Sequence, residues 1–279
     1  MKEDSFLDKL AGQIIRDFGY NLNDVIIVLP NKRAKVFLLE SLKKNISSTV
    51  FAPQIISIED LIQEISVIRA IDPIEVLFEF HEVYLQNTSK EQQQTFDVFS
   101  NWAKTLLQDF NEIDRYLLEP NHVFSYLKDI EALKRWDLEA SQTTTLIDNH
   151  LEFWKKLPLY YESFYKYLLE KKCGYQGLIY REAVKKIDTY AKSIGNKTIV
   201  FAGFNALNQA EEKIIQHLLA TNQAKVYWDI DNVFLNDTFH DAGLFIRKFK
   251  KEWKEYSSQS FEWITDCFQD EKNIQIIKC

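Results

Sequence analysis

Three polar residues follow an apolar segment near the start of the chain and could bind a phosphate group. The segment Val25–Leu29 contains only valine, isoleucine and leucine, and after Pro30 it leads into Asn31, Lys32 and Arg33. Residues that follow a buried strand and open a helix stand beside free backbone N–H groups, which bind anions. Two cations at a helix N-terminus oppose the helix dipole, so folding alone does not favour them there. The alternative is that they are solvated charges of a first helical turn.

A second candidate is a pair of carboxylates two positions apart. Asp229 and Asp231 stand at the end of a predicted strand and could hold Mg²⁺. The alternative is a solvated turn at the end of that strand.

Several sequence patterns of catalysis are absent. The chain contains no GxxxxGK[ST], GxSxG or HExxH pattern, and its histidines and cysteines lack metal-ligand spacing. The segment 193–198 resembles the end of a phosphate loop, but it precedes a strand, whereas a phosphate cradle needs its lysine at a helix start. We therefore predict no catalytic residue, no bound metal and no cofactor for this chain.

The composition is that of an ordinary folded protein. Its 279 residues, 46% of them apolar and 27% charged, suffice for one large domain or two medium ones. A net charge of -7 argues against a small basic module that wraps duplex, so nucleic acid could be held only in a local groove. The three scattered cysteines fit reduced thiols, and neither a signal peptide nor a membrane span is recognisable. These features predict a cytoplasmic protein with no membrane partner.

Helices and strands alternate at both ends of the sequence, while helices alone fill the middle. A helix is predicted from about Lys32, with Val36, Leu39 and Leu42 on its buried face. The predicted strands are 25–29, 54–56, 198–203, 224–230 and 273–278. The predicted helices of the middle region include 124–136, 145–156, 159–171 and 179–191.

This order of elements predicts an α/β fold. Strands that alternate with helices form right-handed crossovers in one mostly parallel sheet. We therefore expect residues 1–71 and 192–279 to form one α/β domain and residues 72–191 to form a large all-helical insertion. Because the last residues resemble a buried strand, the chain is expected to be a fragment of a longer polypeptide.

Three segments, in this order, resemble the first motor domain of UvrD/Rep-type helicases without its catalytic residues. The segment 28–34 is similar to that family's strand followed by T-N-K-A-A, which touches single-stranded DNA, and 201–211 and 227–232 are similar to two later motifs. The resemblance implies a P-loop-helicase-like fold. The helix that follows the phosphate loop in that family corresponds to residues 6–18 at the start of this chain, so the loop itself is missing. The family's acidic pair, which holds Mg²⁺ and orients water, falls on Ala202 and Gly203. The degenerate motif positions are Ala202, Gly203, Asn205, Asp229, Asp231 and Asn232.

Over most of its length the chain resembles the N-terminal part of AddB-type subunits of the AddAB recombination-repair machine. The resemblance is carried by the segments 25–34, 99–115 and 200–215, and the chain lacks the glycine-rich loop that some members keep. It implies a non-catalytic, helicase-like region of a DNA-repair protein whose PD-(D/E)XK nuclease domain lies far C-terminal. The implied partners are DNA, as a single strand or a duplex end, and an AddA-like helicase subunit, with Asn31, Lys32 and Arg33 contacting the DNA.

Two other functions remain open from the sequence. The chain could be a protein-interaction scaffold that makes no DNA contact, which its acidity and aromatic content would fit. It could also be a divergent ATPase with an unusual phosphate loop.

Overall fold

The computed structural model describes residues 5–126 and 145–257, together with residues 261, 264–265 and 267–268. The helices are α1 (Phe6–Phe18), α2 (Ala34–Asn45), α3 (Ile58–Ser66), α4 (Pro73–Gln86), α5 (Phe96–Arg115), α6 (described over 120–126), α7 (Thr145–Glu170), α8 (Gln176–Ser193), α9 (Gln209–Ala220), α10 (Asn232–Asn236) and α11 (Leu244–Glu252). The strands are β1 (Val25–Leu29), β2 (Gln54–Ser57), β3 (Arg69–Ala70), β4 (Cys173–Gly174), β5 (Thr198–Ala202), β6 (Ala224–Tyr227), β7 (Ile230–Asp231) and β8 (Ile264–Thr265).

Four strands form one parallel sheet in the order β2-β1-β5-β6. Ile27 of β1 lies opposite Ile55 of β2 and Val200 of β5, and Val200 lies opposite Lys225 of β6. Strands from both ends of the chain therefore share a sheet, and the predicted α/β class with a parallel sheet is confirmed. The expectation of a single sheet is wrong, because β7 and β8 pair with each other in a separate two-stranded sheet. The strand order reverses between β1 and β5, because β2 follows β1 on one side and β6 follows β5 on the other.

The core of this sheet comes from the apolar runs that the sequence displays. All five residues of β1 are buried, as expected for a strand covered on both faces. Helix α1 contributes Leu10 and Ile14, which are completely buried in the same core cluster as the sheet. Each such side chain stabilises the fold by about 1.5–3 kcal/mol relative to an exposed one.

The chain divides into two compact units. One contains residues 1–61, 187–207 and 211–279 and includes the four-stranded sheet, and the other contains residues 62–186 with 208–210. The second unit has a helical core in which Phe80 packs within about 6 Å of a group of aromatic rings. These rings belong to Phe99, Trp102, Phe110, Tyr160 and Phe164. Three of these pairs are edge to face and two are tilted, and aromatic side chains that pack in this way fill a core.

Several predicted elements need correction. The middle region is not all-helical, because the short strand β4 pairs in parallel with β3. Helix α7 runs through Pro158 as one helix where two were predicted, and the strand predicted for 224–230 ends at Tyr227. The strand predicted for 273–278 and most of the helix predicted for 124–136 lie outside the described residues.

Helix α2 also differs from its prediction. It begins at Ala34 rather than near Lys32. Its buried positions include Leu38 and Leu42, whereas Val36 is 59% exposed, so the predicted face was rotated from the observed one. Among the described helices, none is long and apolar enough to cross a membrane.

Candidate functional site

A cleft of about 410 Å³ opens at the carboxyl edge of the four-stranded sheet. It lies where β1 and β5 end, which is the point at which the strand order reverses. Ligands of open α/β sheets bind at this kind of position. The lining residues come from the start of α1, the ends of β1 and β5, helix α2 and the segment after β6, and they are Ser5, Phe6, Leu7, Leu29, Pro30, Asn31, Ala34, Phe37, Ala202, Gly203 and Asp229.

Asn31 caps the helix that follows β1. Its Oδ1 atom accepts hydrogen bonds from the backbone N–H groups of Arg33 at 3.0 Å and Ala34 at 3.1 Å. An N-cap side chain satisfies backbone donors that would otherwise be free for an anion. The prediction that backbone N–H groups at this helix start are available to phosphate is therefore wrong for these two groups.

Lys32 is paired with a carboxylate that the sequence did not reveal. Its Nζ atom lies 2.8 Å from Oδ1 of Asp60, in the first turn of α3, and its side chain is still 69% exposed. The hydrogen bond with Asp60 raises the pKa of Lys32 above its usual value. Burial acts to raise the pKa of Asp60, but hydrogen bonds from Lys32 and Ser57 outweigh it and lower that pKa. Arg33 is exposed at the start of α2 and forms no ion pair with another residue of the described ranges.

The end of β5 is built from two small residues. Ala202 is completely buried, and Gly203 adopts a left-handed φ of 74° while its N–H donates to the carbonyl oxygen of Tyr227 at 3.0 Å. A Cβ atom on Gly203 would lie 3.2 Å from the Phe6 ring. A side chain at position 203 would therefore be strained and would press on Phe6. These are the positions on which the resemblance places the acidic pair of active helicases.

The other degenerate motif positions do not converge on one site. Asp229 lines the cleft, where burial raises its pKa although Lys9 acts to lower it. Asn205 is exposed and is not part of the lining. Asn232 lies in α10, where its Oδ1 accepts from Nδ2 of Asn236 at 2.7 Å.

Asp231 is engaged with the backbone. One of its carboxylate oxygens accepts from Val233 N–H at 2.9 Å, and the other accepts from the N–H groups of Cys267 at 2.8 Å and Phe268 at 2.9 Å. Asp231 thus caps α10 and fixes the segment that holds Cys267. Within the described residues there is also no group of three or more His, Cys, Asp or Glu side chains that could hold a metal ion.

The N-terminus of α1 is closed by its own side chains. Ser5 and Asp8 form a reciprocal capping box, and Asp8 also accepts from Ser41 Oγ at 2.6 Å. The hydrogen bonds from Ser41 and then from Ser5 lower the pKa of Asp8 to about 2. This cap was not among the predicted features, although the pattern Ser-x-x-Asp before an apolar run signals it. Phe6 and Phe37 were likewise not predicted to line a cleft.

The fold and the cleft define an open parallel α/β domain with a mostly apolar cavity at the reversal of its strand order. In comparisons with known proteins, the chain matches no family model and no curated protein sequence.

Proposed function

We propose that this chain is a non-catalytic, helicase-like region of an AddB-type DNA-repair subunit, which holds DNA and docks a motor partner. In this proposal the sheet is a P-loop-helicase-like one and the helical residues are inserted between its two halves. ATP hydrolysis takes place in the partner, and the nuclease domain lies beyond this chain.

The carboxyl edge of the sheet carries the proposal. Ala202 and Gly203 stand at the end of β5 with the Phe6 ring beside them, where an active motor needs carboxylates for Mg²⁺ and water. Asp229 is a carboxylate of the cleft lining, and the N-terminus of α1, whose residues Ser5 to Leu7 also line the cleft, is capped by the carboxylate of Asp8. Nucleotide phosphates would meet negative charge and an aromatic ring there, so the position favours a role other than hydrolysis.

The start of α2 supports the DNA contact in a modified form. Asn31 acts as a helix cap, so its contribution to DNA binding is to position the residues after it. Arg33 and Lys35 are exposed at the start of α2, beside a cleft that Asn31 and Ala34 line. Lys32 would contribute to a phosphate contact by exchanging Asp60 for the phosphate, which an exposed ion pair permits because such pairs are weak.

A scaffold that makes no DNA contact is the second candidate. The observation that favours it is the pairing of Lys32 with Asp60, since this pair offers phosphate less positive charge than the sequence suggested. The net charge of -7 points in the same direction.

The double variant Lys32→Ala/Arg33→Ala distinguishes these two candidates. If the start of α2 contacts phosphates, the change weakens single-stranded DNA binding and lowers the salt slope of the binding constant by about one to two. The measurement is fluorescence anisotropy with an oligo-dT strand over a series of salt concentrations. The melting temperature should hardly change, since both side chains are exposed.

The matched control is Lys90→Ala/Lys104→Ala, which removes the same charge from two exposed lysines elsewhere. It should leave the slope unchanged. Equal slopes for both double variants, or no DNA binding by the unchanged chain at low salt, would establish the scaffold instead.

A further inference from the structure

The loop 237–240, between α10 and the turn Asp241–Gly243, presents an aromatic side chain to solvent. Phe239 is 95% exposed, the largest exposed fraction of any large apolar side chain in the described residues. Leu244 and Phe245 follow a few positions later and are 51% and 41% exposed. Phenylalanine is among the residues enriched in the cores of protein interfaces, so a phenylalanine that is exposed in this way can serve as an anchor for a partner.

Side chains fix the backbone on both sides of Phe239. The guanidinium of Arg247 donates to the carbonyl oxygens of Phe234 at 2.6 Å and His240 at 2.8 Å. The N–H of Phe239 itself donates to Oδ1 of Asp237 at 2.8 Å. The aromatic side chain therefore stands on a loop that is already ordered, and an ordered anchor loses little conformational entropy when it binds.

Gly243 makes this arrangement possible. A Cβ atom there would lie 2.1 Å from the carbonyl oxygen of Phe234 and 2.5 Å from Nη1 of Arg247. Any other residue would displace the guanidinium or the backbone of α10. Gly243 therefore allows the loop to adopt this conformation, in which Phe239 remains exposed.

The charges beside Phe239 indicate the kind of partner. Asp237 and Asp241 flank it and are exposed, and neither forms an ion pair with another residue in the described part of the chain. The half-buried guanidinium of Arg247, bound to the loop carbonyl of His240, offsets one of these two charges, so the exposed rim of the loop keeps a net negative charge. Two carboxylates repel the phosphates of a nucleic acid and attract lysine or arginine side chains. We propose that Phe239 is the anchor of a protein-docking surface whose partner presents an apolar pocket with a basic rim. This inference rests on the proposed function in taking the motor subunit as that partner.

Binding of the purified AddA-like motor subunit to the immobilised chain tests the inference. Phe239→Ala should weaken binding by about 30-fold or more, the loss that an aromatic hot-spot residue shows. Phe239→Trp should retain most of the affinity, because it keeps an aromatic anchor. Asp241→Asn should slow association at low salt. The control is Phe51→Ala, which removes another phenylalanine that is 81% exposed and should leave binding unchanged.

The outcomes separate the inference from the function on which it rests. If Phe239→Ala and Phe51→Ala bind the motor equally well, the docking anchor is wrong and the proposed function stands. If the unchanged chain does not bind the motor, the docking role and the anchor both fail. If Phe239→Ala instead loses affinity for oligo-dT, the side chain stacks on bases and the protein partner is wrong. Unaltered melting of Phe239→Ala should accompany every outcome, since the side chain is 95% exposed.

Discussion

At the scale of single residues, the buried carboxylate of Asp114 organises the core of the helical unit. The hydroxyl groups of Tyr161 and Tyr175 donate to it, and Nε of Arg181 lies 2.5 Å from its Oδ1. Arg181 also donates to two backbone carbonyl oxygens near the end of α5. Burial raises the pKa of Asp114, although the two tyrosines and Arg181 act to lower it. Since the carboxyl side chain is completely buried, its partners are what make its burial tolerable.

Replacing Asp114 with Asn should therefore be severely destabilising. The amide keeps the volume but leaves the guanidinium of Arg181, only 15% exposed, without its counter-charge. Loss of one partner of a buried ion pair costs about 3–5 kcal/mol. Urea denaturation followed by circular dichroism would measure the change. Glu112→Gln, which alters an exposed carboxylate on the same helix, should stay within about 0.5 kcal/mol; similar losses for both variants would contradict this role of Asp114.

The segment 99–115 carries part of the resemblance to AddB-type subunits, and its polar residues have packing roles in this fold. Asp114 holds the buried network, and Oδ1 of Asn111 accepts from the N–H of Gly177 at 2.8 Å, in the first turn of α8. These contacts explain why a helix would carry Asn and Asp on its buried side. Because these polar residues take part in helix packing, the segment 99–115 supports the proposed helical architecture more directly than it supports a catalytic role.

At the scale of elements, the crossing of α5 and α8 depends on a glycine. A Cβ atom at Gly177 would lie 2.2 Å from the carbonyl oxygen of Asn111. Because that atom belongs to the backbone, a methyl group at position 177 would force the two helices apart.

The change Gly177→Ala should therefore lower the free energy of unfolding by about 1–3 kcal/mol or more. Gly12→Ala, in α1, should have the opposite sign, since the nearest atom to its added methyl group is Arg16 Nη1 at 3.5 Å. It should stabilise the protein by about 0.5–1 kcal/mol through helix propensity. Thermal melts of the two variants would show the difference; stabilisation by both would mean that α8 shifts without cost.

A carboxylate of α1 connects this helix with α2. Asp8 links the start of α1 to Ser41 of α2 and lies 3.7 Å from Lys44. Because the folded state lowers the pKa of Asp8 to about 2, the stabilisation that this carboxylate supplies is complete above about pH 4. It decreases as the pH falls from there through about 2, when the carboxylate becomes protonated in the folded chain.

At the scale of the whole molecule, the proposed non-catalytic role predicts that Mg-ATP leaves the protein unchanged. A ligand at one hundred times its dissociation constant stabilises a protein by about 2.7 kcal/mol, which a thermal melt detects readily. We expect no change in melting temperature with millimolar Mg-ATP, because Phe6 and Gly203 line the cleft and Asp8 occupies the N-terminus of α1. A clear upward shift that requires Mg²⁺ would favour the divergent ATPase.

Local sequence was enough to predict the elements that depend on neighbouring residues. The apolar run of β1, the helix that opens the chain at 6–18 and the alternation of helices with strands follow from side-chain periodicity and backbone preferences, which are local. For the same reason, the sequence placed Ala202 and Gly203 at the end of β5.

Which of these elements meet depends on how the whole chain folds. The position of β5 beside β1, the pairing of Lys32 with Asp60 and the Phe6 ring beside Gly203 each join residues from different elements. Strands β3 and β4 also pair with each other, although most of the helical unit lies between them in the sequence. Such contacts depend on how crossovers bring distant segments together, and local periodicity contains no information about that. The start of α2 consequently offers less to a phosphate than Asn31, Lys32 and Arg33 suggested, because Asn31 occupies backbone N–H groups there and Lys32 has a carboxylate partner.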